Sequence, residues 1–181
     1  MGIQTTYTAA PAVGFAGMKA DSKPERHDTG KNAEASASMP FGAIVAFKTS
    51  SPTTDKDSIL PAATSAKLKG LVAFGNDFER TFTLLGGATA GELDSTGVVV
   101  GAEFMVIEAG TYWVTCEDGC VPGDRLFVRI AGGTLGAARS TDATGSTCID
   151  ATNCGKWLST ATAGNVAKLE FDFLAKTTAG A

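Results

Sequence analysis

Residues 165–175 read NVAKLEFDFLA, and the side chains alternate: Leu169, Phe171 and Phe173 are apolar, while Lys168, Glu170 and Asp172 are charged. A period of two marks a β-strand with one face on a core and the other in water. The rule recurs upstream. In VPGDRLFVRIAGG (121–133) a Pro-Gly turn precedes a strand in which Leu126, Val128 and Ile130 alternate with Arg125, Phe127 and Arg129. VVVGAEFMVIEAG (98–110) and TYWVTCEDG (111–119) are dominated by β-branched and aromatic residues with glycines between them.

Nearer the N-terminus, GAIVAFK (42–48) is a continuous apolar run suited to a buried strand, followed by a loop, SSPTTDKDS, around Pro52. LKGLVAFG (68–75) and FERTFTLL, which starts at Phe78, are separated by Asn76-Asp77 and predict a hairpin; Phe78, Arg80, Phe82 and Leu84 share one of its faces. GGATAGELDSTG forms a long connection after it. The only helix candidate is TDKDSILPAATSAK (54–67), which Pro61 limits to a turn or two. Short strands spaced about 8–12 residues apart predict an all-β fold, a single β-sandwich or barrel-like domain with little helix.

Residues 1–40 differ in character. Pro11, Pro24 and Pro40 oppose helix, Gly14, Gly17 and Gly30 weaken any regular structure, and hydrophobic periodicity is absent. This predicts an extended N-terminal arm over 1–40 and a β-rich body over 41–181. A segment unable to bury its own side chains takes its order from a surface elsewhere, which points to an assembly component before a catalyst.

The 181 residues carry a net charge of −4 with a pI near 5.0, and the Lys and Arg are scattered, so no nucleic-acid partner is expected. No apolar run reaches the roughly 20 residues of a membrane helix. The start lacks the basic and apolar regions of a secretory signal, and Met1-Gly2 has no second membrane signal to support a lipid anchor. A product made in the cytoplasm without membrane attachment is expected.

Chemistry-bearing motifs are sparse. Cys116, Cys120, Cys148 and Cys154 lack the spacing and histidine partners of a zinc site, and they read as free thiols, with a Cys148–Cys154 disulfide as the oxidised alternative. The single histidine, His27, lies in the arm and has no core to position it for catalysis. No nucleophile elbow or Walker loop occurs. Asp55 with Asp57, and Glu117 with Asp118, read as solvated surface turns. Trp113 and Trp157 fit core or interface packing, the commoner use of Trp in strands; the competing use is a sugar platform, for which Trp157, next to a lysine, would lie in an exposed strand. No enzyme activity, metal or cofactor is expected.

The stretches YTAAPAVGFAGMKADS (7–22), PFGAIVAF (40–47), VPGDRLFVRI (121–130) and NVAKLEFDF (165–173) together resemble the structural cement, or head decoration, proteins of tailed bacteriophages. The resemblance rests on Tyr7, Pro11, Gly14 and Gly17, on the Pro40-Phe41-Gly42 step, and on the Pro122-Gly123-Asp124 turn, in that order; the cysteines are not part of it. It implies a non-enzymatic virion protein on the outer surface of an icosahedral head, a homotrimer whose partner is the major capsid protein. Its arm would clamp neighbouring shell subunits, with Tyr7, Pro11, Val13, Phe15, Met18 and Phe41 as contact residues. A head-tail connector, a tail-tube subunit and a carbohydrate-binding or adhesin-like β module are the competing readings.

Overall fold

The computed structural model describes residues 14–74, 97–142 and 147–173. The expected hairpin strand beginning at Phe78 lies outside these. Among the described residues there is no helix, and the fold is all-β.

Five strands close into a small barrel: β1 (Arg26–Asn32), β3 (Ile44–Phe47), β4 (Asp57–Ile59), β5 (Leu68–Val72) and the first half of β7 (Glu103–Cys116). The neighbour order is β1, β4, β3, β5, β7, and β7 pairs back onto β1 from Arg26↔Ala109 to Lys31↔Glu103. Closure leaves no free edge between these strands. A short pair, β2 (Met39–Pro40) with β6 (Gly97–Val98), accompanies the barrel.

The 14 residues of β7 are long enough to serve two layers. Its second half pairs with β12 (Asn165–Asp172), from Asp172↔Ala109 to Asn165↔Cys116. β8 (Phe127–Arg129), β9 (Ala138–Arg139), β10 (Cys148–Asp150) and β11 (Gly155–Trp157) complete this second layer, which an isolated bridge between Arg125 and Lys156 links across.

The two layers explain the two sequence patterns. Val45, Val72, Phe104 and Val106 fill the barrel, whereas Ile44, Leu71 and Ile107, each adjacent to one of them in sequence, point the other way into the core of the second layer. These wall strands are buried on both faces, so their sequences run apolar without alternation. β12 is covered on one face only: Ala167, Leu169 and Phe171 are buried, as is Phe173 just beyond it, and their neighbours alternate outward as the sequence predicts.

Two expectations are corrected. Residues 26–40, predicted as part of the extended arm, belong to the body, since β1 is a barrel stave and Met39 is fully buried. The 54–67 stretch is not helical; its Asp57–Ile59 portion is β4, paired with both β1 and β3. Of the two uses read for Trp157, core packing holds: it is completely buried, its indole N–H donating to the Arg139 carbonyl at 3.3 Å. It cannot form a sugar platform.

One barrel strand carries a charge inward. Lys69 is fully buried, and its Nζ donates to the carbonyls of Thr29 (3.2 Å) and Lys56 (3.4 Å), lies 3.5 Å from Asp28, and sits over the Phe47 ring. Carbonyls and a carboxylate stand in for the water this ammonium loses.

Candidate functional site

Residues 14–20 lie along the second half of β7 as a short added strand. Lys19 forms an antiparallel bridge with Tyr112, opposite the side on which Leu169 pairs. Gly17 N–H donates to the Trp113 carbonyl (2.8 Å), Trp113 N–H to the Met18 carbonyl (2.8 Å) and Ala20 N–H to the Thr111 carbonyl (2.9 Å). On its other side, the Gly17 carbonyl accepts from Phe74 N–H at 2.9 Å. The arm therefore has a root fixed on its own body from about Gly14 onward.

Glycine makes that docking tight. Gly14 packs on Trp113, where a Cβ would stand 2.2 Å from the indole. Gly17 and Gly42 approach backbone to backbone. Two separate parts of the sequence resemblance, the glycines of the arm and the Pro-Phe-Gly step, thus meet at one point.

Around that point three aromatic rings gather. Phe15 stands edge-on to Phe74 with centroids 4.5 Å apart and an interplanar angle of 81°, and Phe41 meets the same ring at 5.1 Å and 78°. Phe15 is 50% exposed, while Phe41 and Phe74 are half-buried. Of the predicted contact residues, the structure brings Phe15 and Phe41 onto one ring, places Met18 half-buried in the docked root, and leaves Tyr7, Pro11 and Val13 outside the described residues. Phe74 was not among the expected contacts, because in LKGLVAFG it reads only as part of an apolar strand.

A polar latch holds the root. Tyr112 OH donates to Glu25, and Lys19 Nζ lies 3.2 Å from the same carboxylate. Burial pushes the Glu25 carboxyl up, but the hydrogen bonds from Tyr112 and Lys19 and the Lys19 charge outweigh it, leaving the group below the ordinary glutamate value. Burial and the Glu25 partner hold the Tyr112 phenol well above its usual range.

Of the acidic pairs read as solvated turns, Asp55 is exposed in its turn, whereas Asp57, Glu117 and Asp118 are structural. Asp57 is buried and accepts from Thr53 N–H (2.6 Å) and Thr54 Oγ1 (3.0 Å), organising the loop before β4. Glu117 takes Arg129 at 2.5 Å and Arg139 at 3.3 Å. Asp118 lies 3.4 Å from Arg139 and accepts from Ser140 N–H, Thr141 N–H and the Thr141 hydroxyl. His27 sits exposed on β1 opposite Ile107. A groove of about 450 Å³ has Lys23, Lys156 and Glu170 on its rim, and Glu170 is engaged by both lysines. Among the described residues no cluster of three metal-ligating side chains occurs, and Cys148 and Cys154 are thiols, not a disulfide.

The family model described as "Structural cement protein (E217 gp24/Pam3 gp6)" matches residues 3–172. Among solved structures, a chain from the capsid of Myoviridae phage XM1 superposes with a TM-score of 0.60 at 15% identity, covering 95% of this chain and 98% of its own. The N base of head fibre gp8.5 of bacteriophage phi29 reaches 0.47 at 15% identity, with 83% and 96% covered, and adds nothing to the assignment. No curated protein sequence matches the chain. At such identities the capsid chain speaks for the fold, and the family match, spanning nearly the whole sequence, speaks for kinship: this chain belongs to the structural cement proteins of phages.

Proposed function

We propose that the protein is a cement protein of a tailed-phage head, binding the outer surface of the icosahedral shell and holding neighbouring major capsid protein subunits together without catalysis. The family match over residues 3–172 carries this reading. The aromatic cluster supports placing the shell contact at the arm root. Phe15 is half-exposed on a ring pair, and aromatic anchors are enriched where proteins meet. Phe15 and Phe41 are then the anchor, Met18 lies in the docked strand beneath, and Tyr7, Pro11 and Val13 extend the contact along the chain.

Ordering an arm costs about 1–2 kcal/mol of backbone entropy per residue. The fixed root lowers that cost, since the chain from Gly14 onward is already held before the shell is met. A homotrimer would multiply three modest footprints into stable attachment. Synthesis in the host cytoplasm places the protein where shells assemble.

The test is co-sedimentation with expanded heads lacking the protein, comparing the full chain with a variant lacking residues 1–13. The truncation stops before Gly14 because residues 17–20 are hydrogen-bonded to the body. Binding weakened at least about tenfold is the expected result, since lost contacts multiply across linked sites. Undiminished binding and head stabilisation would refute the clamp, and native mass measurement reads the trimer.

A further inference from the structure

The turn Cys116-Glu117-Asp118-Gly119-Cys120 brings two thiols together that the proposed function does not use. β7 ends at Cys116, Gly119 turns the chain at a φ of 84°, and Cys120 forms a bridge with Ala161. Gly164 N–H donates to the Cys116 carbonyl (2.8 Å) and Cys120 N–H to the Ala161 carbonyl (2.9 Å), so both ends of the turn are pinned to the same segment. Cys116 is fully buried and Cys120 is 6% exposed. Their thiols donate to Asp118 and to the Ser159 carbonyl, each at 3.4 Å, and lie close enough to influence each other electrostatically.

We propose that Cys116 and Cys120 are an oxidation site, closing to a disulfide when the protein passes from reducing to oxidising surroundings. A disulfide needs a backbone that holds two cysteines near each other, and a short turn with both ends pinned to residues 161–164 does so. With oxidised glutathione as oxidant, one cysteine thiolate attacks the glutathione disulfide and displaces a glutathione thiolate. The second cysteine thiolate then attacks the mixed disulfide, the Cys116–Cys120 bond forms, and the second glutathione leaves. Two electrons pass to the oxidant, and the two cysteine protons end on the two glutathione thiols. Compartment decides the direction, since thiols persist in a reducing cytoplasm and disulfides outside it.

Burial also sets the pace. It pushes both thiols above the ordinary cysteine value, and only the thiolate attacks, so closure is slow and speeds up by roughly tenfold per pH unit while the thiols remain mostly protonated. The same burial shields the finished bond from reductants.

The experiment uses the full chain, without shells, so that its outcome is independent of capsid binding. The purified protein is incubated with oxidised glutathione at about pH 8, natively and in mild urea that opens the turn, then denatured, alkylated and mapped by mass spectrometry. The expected product is a 116–120 peptide lacking both alkyl groups and lighter by two hydrogen atoms than the dithiol, with Cys148 and Cys154 alkylated. In Cys120→Ala no internal link can form on Cys116, which should be recovered alkylated or as its unresolved glutathione mixed disulfide. Alkyl groups on both Cys116 and Cys120 of the unaltered protein under both conditions, or a stable glutathione adduct on either, would overturn the proposal. So would linkage of either residue to Cys148 or Cys154. If the variant misfolds, the map of the unaltered protein decides alone.

Discussion

Gly17 and Gly42 meet backbone to backbone, both at left-handed φ, 84° and 78°. A Cβ on Gly17 would stand 2.8 Å from Phe74 N and 3.1 Å from Gly42 N, and one on Gly42 would stand 2.9 Å from Ala16 Cβ and 3.0 Å from Gly17 N. Neither backbone can yield without giving up a hydrogen bond, since Gly42 N–H donates to Val72 and the Gly17 carbonyl accepts from Phe74. Gly17→Ala or Gly42→Ala should therefore cost about 2 kcal/mol, measured by urea denaturation. Protease should also cut nearer the body in either variant, because the docked root is loosened.

The Glu25 latch predicts an acid limb. Its carboxyl is depressed in the fold, so its contribution is present above the ordinary value of 4.5 and is lost as pH falls through the lower folded value. Glu25→Gln should lower stability by about 1–2 kcal/mol at neutral pH, and the difference from the unaltered protein should vanish once the pH has fallen below the depressed folded value. Tyr112 gives the opposite sign. Its phenol is raised, so its contribution is intact below 10.0 and declines as pH rises beyond that. Denaturation midpoints across pH, compared with Tyr112→Phe, read both limbs.

Asp118 holds a turn and a buried cation together. Removing it strands the Ser140 and Thr141 donors and takes one carboxylate from Arg139, which is only 6% exposed and has one unpartnered Nε already. Breaking a buried pair from one side costs about 3 kcal/mol, and Asp118→Ala should show a loss of that size. The loss should change little with added salt, because buried pairs are weakly screened.

What the sequence made readable follows from how each strand is covered. β12 has one wet face and so alternates, and β3 has none and so runs apolar. β1 was invisible for a different reason. RHDTGKN turns three exposed polar residues outward, and the barrel interior beside it is filled by side chains of the neighbouring strand β7. A Cβ on Gly30 would stand 2.5 Å from Val106 and 2.8 Å from Phe104, so the strand needs no apolar side chain of its own. The ring cluster was partly readable: Phe41 belongs to the Pro-Phe-Gly step and Phe15 to the arm stretch of the resemblance, but Phe74 joins them only through a long-range approach. Trp157 packs in the core, the commoner use of Trp in strands, although its neighbours Gly155 and Lys156 suggest exposure.

The burial of Trp157 predicts a spectroscopic split. Trp113 is half-buried, against Gly14 and with Lys168 Nζ 5.2 Å from its ring centroid, whereas Trp157 has no exposed surface. In Trp113→Phe the remaining fluorescence should resist iodide, and in Trp157→Phe it should be quenched. Trp157→Ala should destabilise by about 3–5 kcal/mol. Iodide quenching of Trp113→Phe equal to that of free tryptophan would contradict the packing described.

Phe15 separates stability from attachment. Its edge-on contact with Phe74 is worth about 0.5–1.5 kcal/mol, and half of its surface is already in water, so Phe15→Ser should shift the denaturation midpoint only slightly. If the ring cluster is the anchor on the shell, the same change should weaken co-sedimentation with heads by about tenfold or more, as truncation of a central aromatic contact does. Phe41→Leu gives the comparison, because Phe41 is half-buried against the barrel core as well as against Phe74, so that change should cost stability and binding together. A Phe15→Ser protein that binds heads as tightly as the unaltered chain would move the contact surface elsewhere on the molecule.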